Sequence, residues 1–161
     1  MQFEFVGAAQ TVTGSKHILR VNGKTYLLDC GMFQGHRKES DDANRFLPIK
    51  TSELDAVILS HAHIDHAGLL PLLVKKWYTG PIYCTHATRD LCSIMLQDSA
   101  RIQEHDAEHM SKKTGKNIPP LYTVEEAMEC MMQFRSVWYE QPVPLDNGVK
   151  MTFHDAGHIL G

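Results

Sequence analysis

A chain of 161 residues, 43% hydrophobic and 22% charged, has the length and balance of one soluble globular domain with a sizeable core. Its formal net charge of −3 and pI near 6.3 exclude a bulk electrostatic pull toward nucleic acid or an anionic membrane. No apolar run approaches the length of a bilayer span, so no membrane association is expected. The start, Met1-Gln2-Phe3-Glu4-Phe5-Val6, lacks a basic region and reads as a strand, not as a signal peptide. Cys30, Cys84, Cys92 and Cys130 form no CxxC pair, which argues against a zinc knuckle and for reduced, buried thiols in a cytoplasmic protein.

In chain order, residues 2–6 form a first strand ending at Gly7, followed by a small-residue loop to Gly14. His17–Val21 and Thr25–Leu28 flank Asn22-Gly23, a strong hairpin signal. The second of these strands runs into Asp29-Cys30-Gly31, and residues 31–50 read as an irregular polar excursion. Ala56–Ser60 is a short apolar run that suits a strand buried on both faces. Leu69–Tyr78 reads as a short helix stopped by Thr79-Gly80-Pro81, and Ile82–Cys84 as another strand. Residues 87–113 form one long helical pattern with an apolar stripe at Leu91, Ile94, Met95 and Ile102. Thr123-Val124-Glu125-Glu126 has the form of a capping box for a helix through about Phe134. Val137–Leu145 and Val149–Ala156 are predicted strands joined at Asp146-Asn147-Gly148. Strands alternating with helices indicate an α/β layered domain.

The chemistry concentrates in His61-Ala62-His63-Ile64-Asp65-His66. Three imidazoles and a carboxylate within six residues, just past a buried strand, offer nitrogen and oxygen ligands to a pair of ions. His61 and His63 can aim at one ion, and Asp65 and His66 at a neighbouring position. The plain alternative is a solvated polar loop. His158, in Asp155-Ala156-Gly157-His158-Ile159-Leu160-Gly161, follows a predicted strand and is a further candidate ligand; an exposed histidine is its alternative. Asp29, at a third strand end, could hold a ligand imidazole by accepting its remote N–H, or could simply serve the Asp-Cys-Gly turn.

These residues resemble a known family. Leu59-Ser60-His61-Ala62-His63-Ile64-Asp65-His66-Ala67-Gly68 is similar to the second motif of metallo-β-lactamase-fold hydrolases, Leu28-Asp29-Cys30-Gly31 to their first, and Gly157-His158 to their third. Gly7–Ser15, Leu28–Gly35 and Gly157–Gly161 narrow the likeness to the β-CASP nucleases of RNA processing, which include bacterial and archaeal RNA exonucleases and the pre-mRNA cleavage endonuclease. The resemblance implies that residues 1–161 are the N-terminal part of an αββα sandwich. It implies two zinc ions: one on His61, His63 and His158, the second served by Asp65 and His66. Asp65 would also orient the attacking hydroxide, and Asp29 would act behind the ligands. An RNA substrate is implied and no organic cofactor; a homodimer is left open.

The family also needs a later bridging aspartate, a later histidine and an inserted β-CASP domain. This chain stops three residues after His158 and contains none of them. It is therefore expected to be the N-terminal portion of a longer protein, binding metal weakly and lacking full activity alone.

Other motifs are discounted. His105-Asp106-Ala107-Glu108-His109 fits an inverted zinc-peptidase pattern but reads as the solvated side of a helix. The cluster Met128, Met131, Met132 and Phe134 reads as core packing. Lys75-Lys76 and Lys112-Lys113 read as solvated faces, and His154 as structural. Competing functions are a thioesterase or lactonase of the same fold, a DNA-processing relative, and a non-catalytic scaffolding paralogue, the last opposed by the intact motif.

Overall fold

The Asn22-Gly23 signal folds as its chemistry dictates. Both residues take positive φ, 52° and 77°, as a tight two-residue hairpin turn requires. They join β2 (His17–Val21) to β3 (Lys24–Leu28), and β1 (Gln2–Phe5) pairs antiparallel to β2 on its other side. The computed structural model describes residues 1–161 apart from the side chains of Arg37 and Lys38. After β3 come α1 (Arg37–Arg45), β4 (Ala56–Ile58), α2 (Ile64–Ala67), α3 (Leu70–Lys75) and β5 (Ile82–Thr85). Then follow α4 (His86–Thr114), α5 (Val124–Cys130), β6 (Phe134–Val137), β7 (Val143–Pro144) and β8 (Lys150–Met151).

Six strands form one mixed sheet in sequence order, with β3 to β6 parallel. One row of cross-strand partners, Ile18, Leu27, Val57, Ile82 and Phe134, lies on the helix-covered face, and each of them is buried. These residues join Leu70, Leu73, Cys92, Leu96 and Tyr122 in a single core. The neighbouring row, His17, Leu28, Ile58, Tyr83 and Arg135, points to the other face and is at most half-buried. Burial is thus one-sided: helices cover one face, and only the β7–β8 ribbon and its flanks approach the other. No helix is long and apolar enough to cross a membrane.

Several expected elements differ. Residues 37–45 are helical, not irregular. The segment lacks an apolar stripe, and its anchor is polar: Asn44, buried, accepts from Phe33 N at 2.7 Å and donates to Phe33 O at 2.9 Å. Of the apolar stripe expected on α4, Leu91 and Met95 pack against the core but Ile94 and Ile102 do not. Ile94 and Ile102 are 69% and 57% exposed, whereas Thr88, Cys92, Leu96, Ala100 and Ala107 are buried. Small residues let the helix lie close to its neighbours, and a count of large apolar residues misses them. The capping box at Thr123 and Glu126 forms, but the helix ends at Cys130, and Phe134 opens β6. Met128 and Met132 are exposed, so only Met131 and Phe134 of that expected cluster pack inward. The last two expected strands shrink to the short β7–β8 pair, with residues 152–161 irregular.

All four cysteines are free and buried. Burial pushes the Cys30, Cys84 and Cys92 thiols up to about 12 and raises Cys130 as well. At pH 8 they remain protonated, so a disulfide-exchange dye should label no thiol in the native chain and four after denaturation. Fast labelling without denaturant would contradict this packing. Gly31 makes the closest approach in the fold, because a Cβ there would overlap the Asp65 carbonyl. Gly31→Ala should therefore lower stability by about 3 kcal/mol or more, measured by urea unfolding.

Candidate metal centre

Parallel pairing brings the C-terminal ends of β3 and β4 to one edge of the sheet. Asp29 leaves β3 in a left-handed conformation, φ 61°. The chain then runs against the turn of α2, where Cys30 N donates to His66 O, Met32 N to Ile64 O, and Leu69 N to Cys30 O. Ser15 joins the same knot: its N–H donates to Asp65 O and its carbonyl accepts from Gly31 N. The backbone of the His61–His66 segment is thereby fixed by two other loops. It is also partly helical, as α2.

His61, His63 and His158 converge, with one ring nitrogen from each lying within 4.8 Å of the others. His61 Nε2 is 3.0 Å and His158 Nε2 3.3 Å from His63 Nδ1. Nitrogens bound tetrahedrally to one ion at ordinary zinc distances sit about 3.3 Å apart. The cluster therefore fits a metal ion as it stands, and it is the one such group among the described residues. Burial, and then the nearby His66, hold the His61 imidazole down to about 4, so it is neutral, as a ligand must be.

Behind the cluster lies Asp29, a carboxylate only 7% exposed. Its Oδ1 accepts from Ser60 N at 2.8 Å, and its Oδ2 from Ser60 Oγ at 3.0 Å and Ser15 Oγ at 3.2 Å. The same Oδ2 lies 2.8 Å from His66 Nδ1, and this contact raises the His66 pKa. His66 Nε2 is then left facing Asp65 Oδ2 at 3.6 Å. Asp65 and His66 thus form a donor pair apart from the three-histidine cluster. Asp29 faces His66 and Ser60 and does not line the cluster itself.

Ser60 carries a role that the sequence did not single out. Its hydroxyl contacts His61 Nδ1 at 2.9 Å as well as Asp29, which fixes the ring so that Nε2 points at the cluster. Thr88 is a second omission: buried at the start of α4, it donates to Gly161 O at 3.0 Å and braces the loop that carries His158. Neither hydroxyl has a spacing signature. His105 and His109 are exposed on α4 and stand outside the cluster, as expected. Lys75 and Lys112 pair with Glu126 and Glu108. His154 pairs with Glu140 on the surface.

Residues 18–161 match the metallo-beta-lactamase superfamily domain. The chain belongs to that superfamily. It is 36% identical to Ribonuclease TTHA0252 of Thermus thermophilus, over 96% of this chain and 32% of the relative. It is 33% identical to transcription termination factor FttA of Methanocaldococcus jannaschii, over 100% of this chain and 24% of the relative. With Integrator complex subunit 11 of Gallus gallus it shares 34% identity, over 97% of this chain and 25% of the relative. The chain spans a third or less of the length of these relatives. They are β-CASP nucleases, the group whose motifs the sequence resembles. Membership of this superfamily implies metal ions, and a histidine cluster is present.

Cobalt(II) is a visible-absorbing stand-in for a spectroscopically silent ion and should bind the wild-type chain with bands of a four-coordinate site. His63→Ala should abolish those bands. Ser60→Ala should weaken the apparent affinity roughly 10- to 100-fold, the usual cost of removing a partner behind a ligand. Unchanged affinity in Ser60→Ala would show that its contact with His61 is idle.

Proposed function

We propose that the polypeptide carrying this chain is a zinc-dependent phosphodiesterase that processes RNA in the cytoplasm. The single observation behind the metal-hydrolase reading is the convergence of His61, His63 and His158, beside the separate donors Asp65 and His66, while RNA as the substrate is drawn from the relatives, one of them a ribonuclease. In this reading the three histidines hold one zinc, and Asp65 and His66 contribute to a second. When bound, such ions make water acidic and withdraw charge from phosphate oxygens.

The chain's own groups do the rest. Asp65 accepts a proton from the attacking water and orients it. Asp29, through Ser60 and His66, keeps two rings in the tautomers that leave Nε2 free for an ion. A cleft of about 450 Å³ beside His61, Tyr139 and His158 continues over His17, Leu28 and Ile58 of the open sheet face. The half-buried sheet face supports a further reading, that residues 1–161 are the first part of the domain. The remaining donors and a β-CASP domain would then lie on a later part of a longer polypeptide.

The test is hydrolysis of end-labelled single-stranded RNA by the whole polypeptide with zinc. Asp65→Ala should lower turnover about 100- to 10,000-fold, and product lengths should separate end-trimming from internal cleavage. Turnover of a thioester or lactone, with RNA left intact, would overturn the RNA reading and favour a small-molecule hydrolase.

A further inference from the structure

The sheet edge that carries the metal-site residues continues past them. Ile58 pairs with Tyr83, so His61 and His86 each lie three residues past that row on successive strands, with Asp29 nearer the sheet on β3. Thr85 pairs with Val137, so the next residues on these two strands, His86 and Trp138, are neighbours. Their rings stack, with centroids 4.0 Å apart and planes 33° from parallel. His86 is half-buried, whereas Trp138 is 67% exposed. One indole face is thus backed by an imidazole while the ring stays open to solvent. Tyr139, the adjacent residue, lines the same cleft as His61 and His158.

We propose that the stacked pair His86–Trp138 is a platform for an unpaired nucleobase flanking the scissile phosphate. This inference rests on the RNA reading above. Trp138 lies two strands from His61, a lateral offset of roughly 10 Å, which suits a nucleotide beside the one at the reacting phosphate. The chain carries a net charge of −3, so affinity for a polyanion must come from something other than bulk attraction. Stacking on an exposed aromatic ring is such a contribution and tolerates any base. The backing imidazole holds the indole in place before the base arrives, which reduces the ordering that binding requires. The position is also braced, because Thr85 caps the helix that begins with His86, and Thr88 ties the same turn to the His158 loop.

The chain has two tryptophans, and the other, Trp77, is exposed after α3. Trp77→Phe therefore leaves Trp138 as the sole indole reporter. Titrating this variant with a single-stranded oligoribonucleotide should give saturable quenching, and an abasic ribose-phosphate strand of equal length should give none. Equal responses to both strands, or no response to either, would overturn the platform. In the whole polypeptide, Trp138→Ala should raise KM for RNA about ten-fold more than it affects bis(4-nitrophenyl) phosphate, and Trp138→Phe should restore most of it. Equal losses on both diesters would mark Trp138 as merely structural. If the wild type cleaves neither diester, the phosphodiesterase reading fails on its own, and the quenching titration still decides whether bases stack at Trp138.

Discussion

The buried carboxylate of Asp29 is the constraint on which the rest of the site depends. A charge so nearly removed from water is tolerable only if donors surround it. Here two donors come from Ser60, one from Ser15 and a fourth contact from His66. Those partners belong to two segments, the Ser15 loop and the Ser60–His66 stretch, so satisfying one side chain fixes both against the Asp29 loop. The left-handed backbone at Asp29, unfavourable for a residue with a Cβ, is the conformation that turns the chain back against the α2 segment. Gly31 follows two residues later because nothing larger than hydrogen fits over the Asp65 carbonyl. Backbone strain, buried charge and close approach therefore serve one geometry, the fixed placement of His61 to His66.

The sheet supplies the second half of that placement. Parallel strands all point the same way, so their ends gather at one edge where backbone groups leave the ladder and side chains are free to converge. Asp29, His61, His86 and Trp138 each follow a strand of this set. His158 arrives differently, from an irregular segment 95 residues after His63. Its loop has no strand register to hold it, and the contact between Thr88 and Gly161 takes that role. The metal cluster thus has two rigid members and one that depends on a loop tether.

What could be read from the sequence follows from which forces are local. The hairpin at Asn22-Gly23 and the capping box at Thr123 are decided within four residues, and both form. The histidine motif was legible because ligand chemistry needs those residue types close together. Helix α1 was not, because its stability lies in a tertiary anchor, Asn44 on the backbone of Phe33, and not in amphipathic spacing. The buried face of α4 was read only in part for a related reason: Leu91 and Met95 pack inward, but close helix packing selects Ala100 and Ala107, while Ile94 and Ile102 face outward. Ser15, Ser60 and Thr88 were silent since a hydroxyl takes its meaning from the partner that folding brings to it. The superfamily likeness pointed to His61, His63 and His158, which converge, but not to the hydroxyls packed against them.

Two histidines in one six-residue motif end with opposite proton affinities, and their surroundings explain why. His61 is desolvated, and its direct partner at Nδ1 is the neutral hydroxyl of Ser60, so its charged form is penalised. His66 is similarly placed in depth but touches the Asp29 carboxylate directly, and the contact outweighs its desolvation. A carboxylate-backed imidazole is the more electron-rich donor, and a hydroxyl-backed one is the less basic. The motif therefore presents two imidazoles of different basicity beside different neighbours: His61 in the three-histidine cluster and His66 on the Asp65 side. That asymmetry arises from Asp29 sharing its four contacts unequally. It gives the two imidazoles distinct proton affinities.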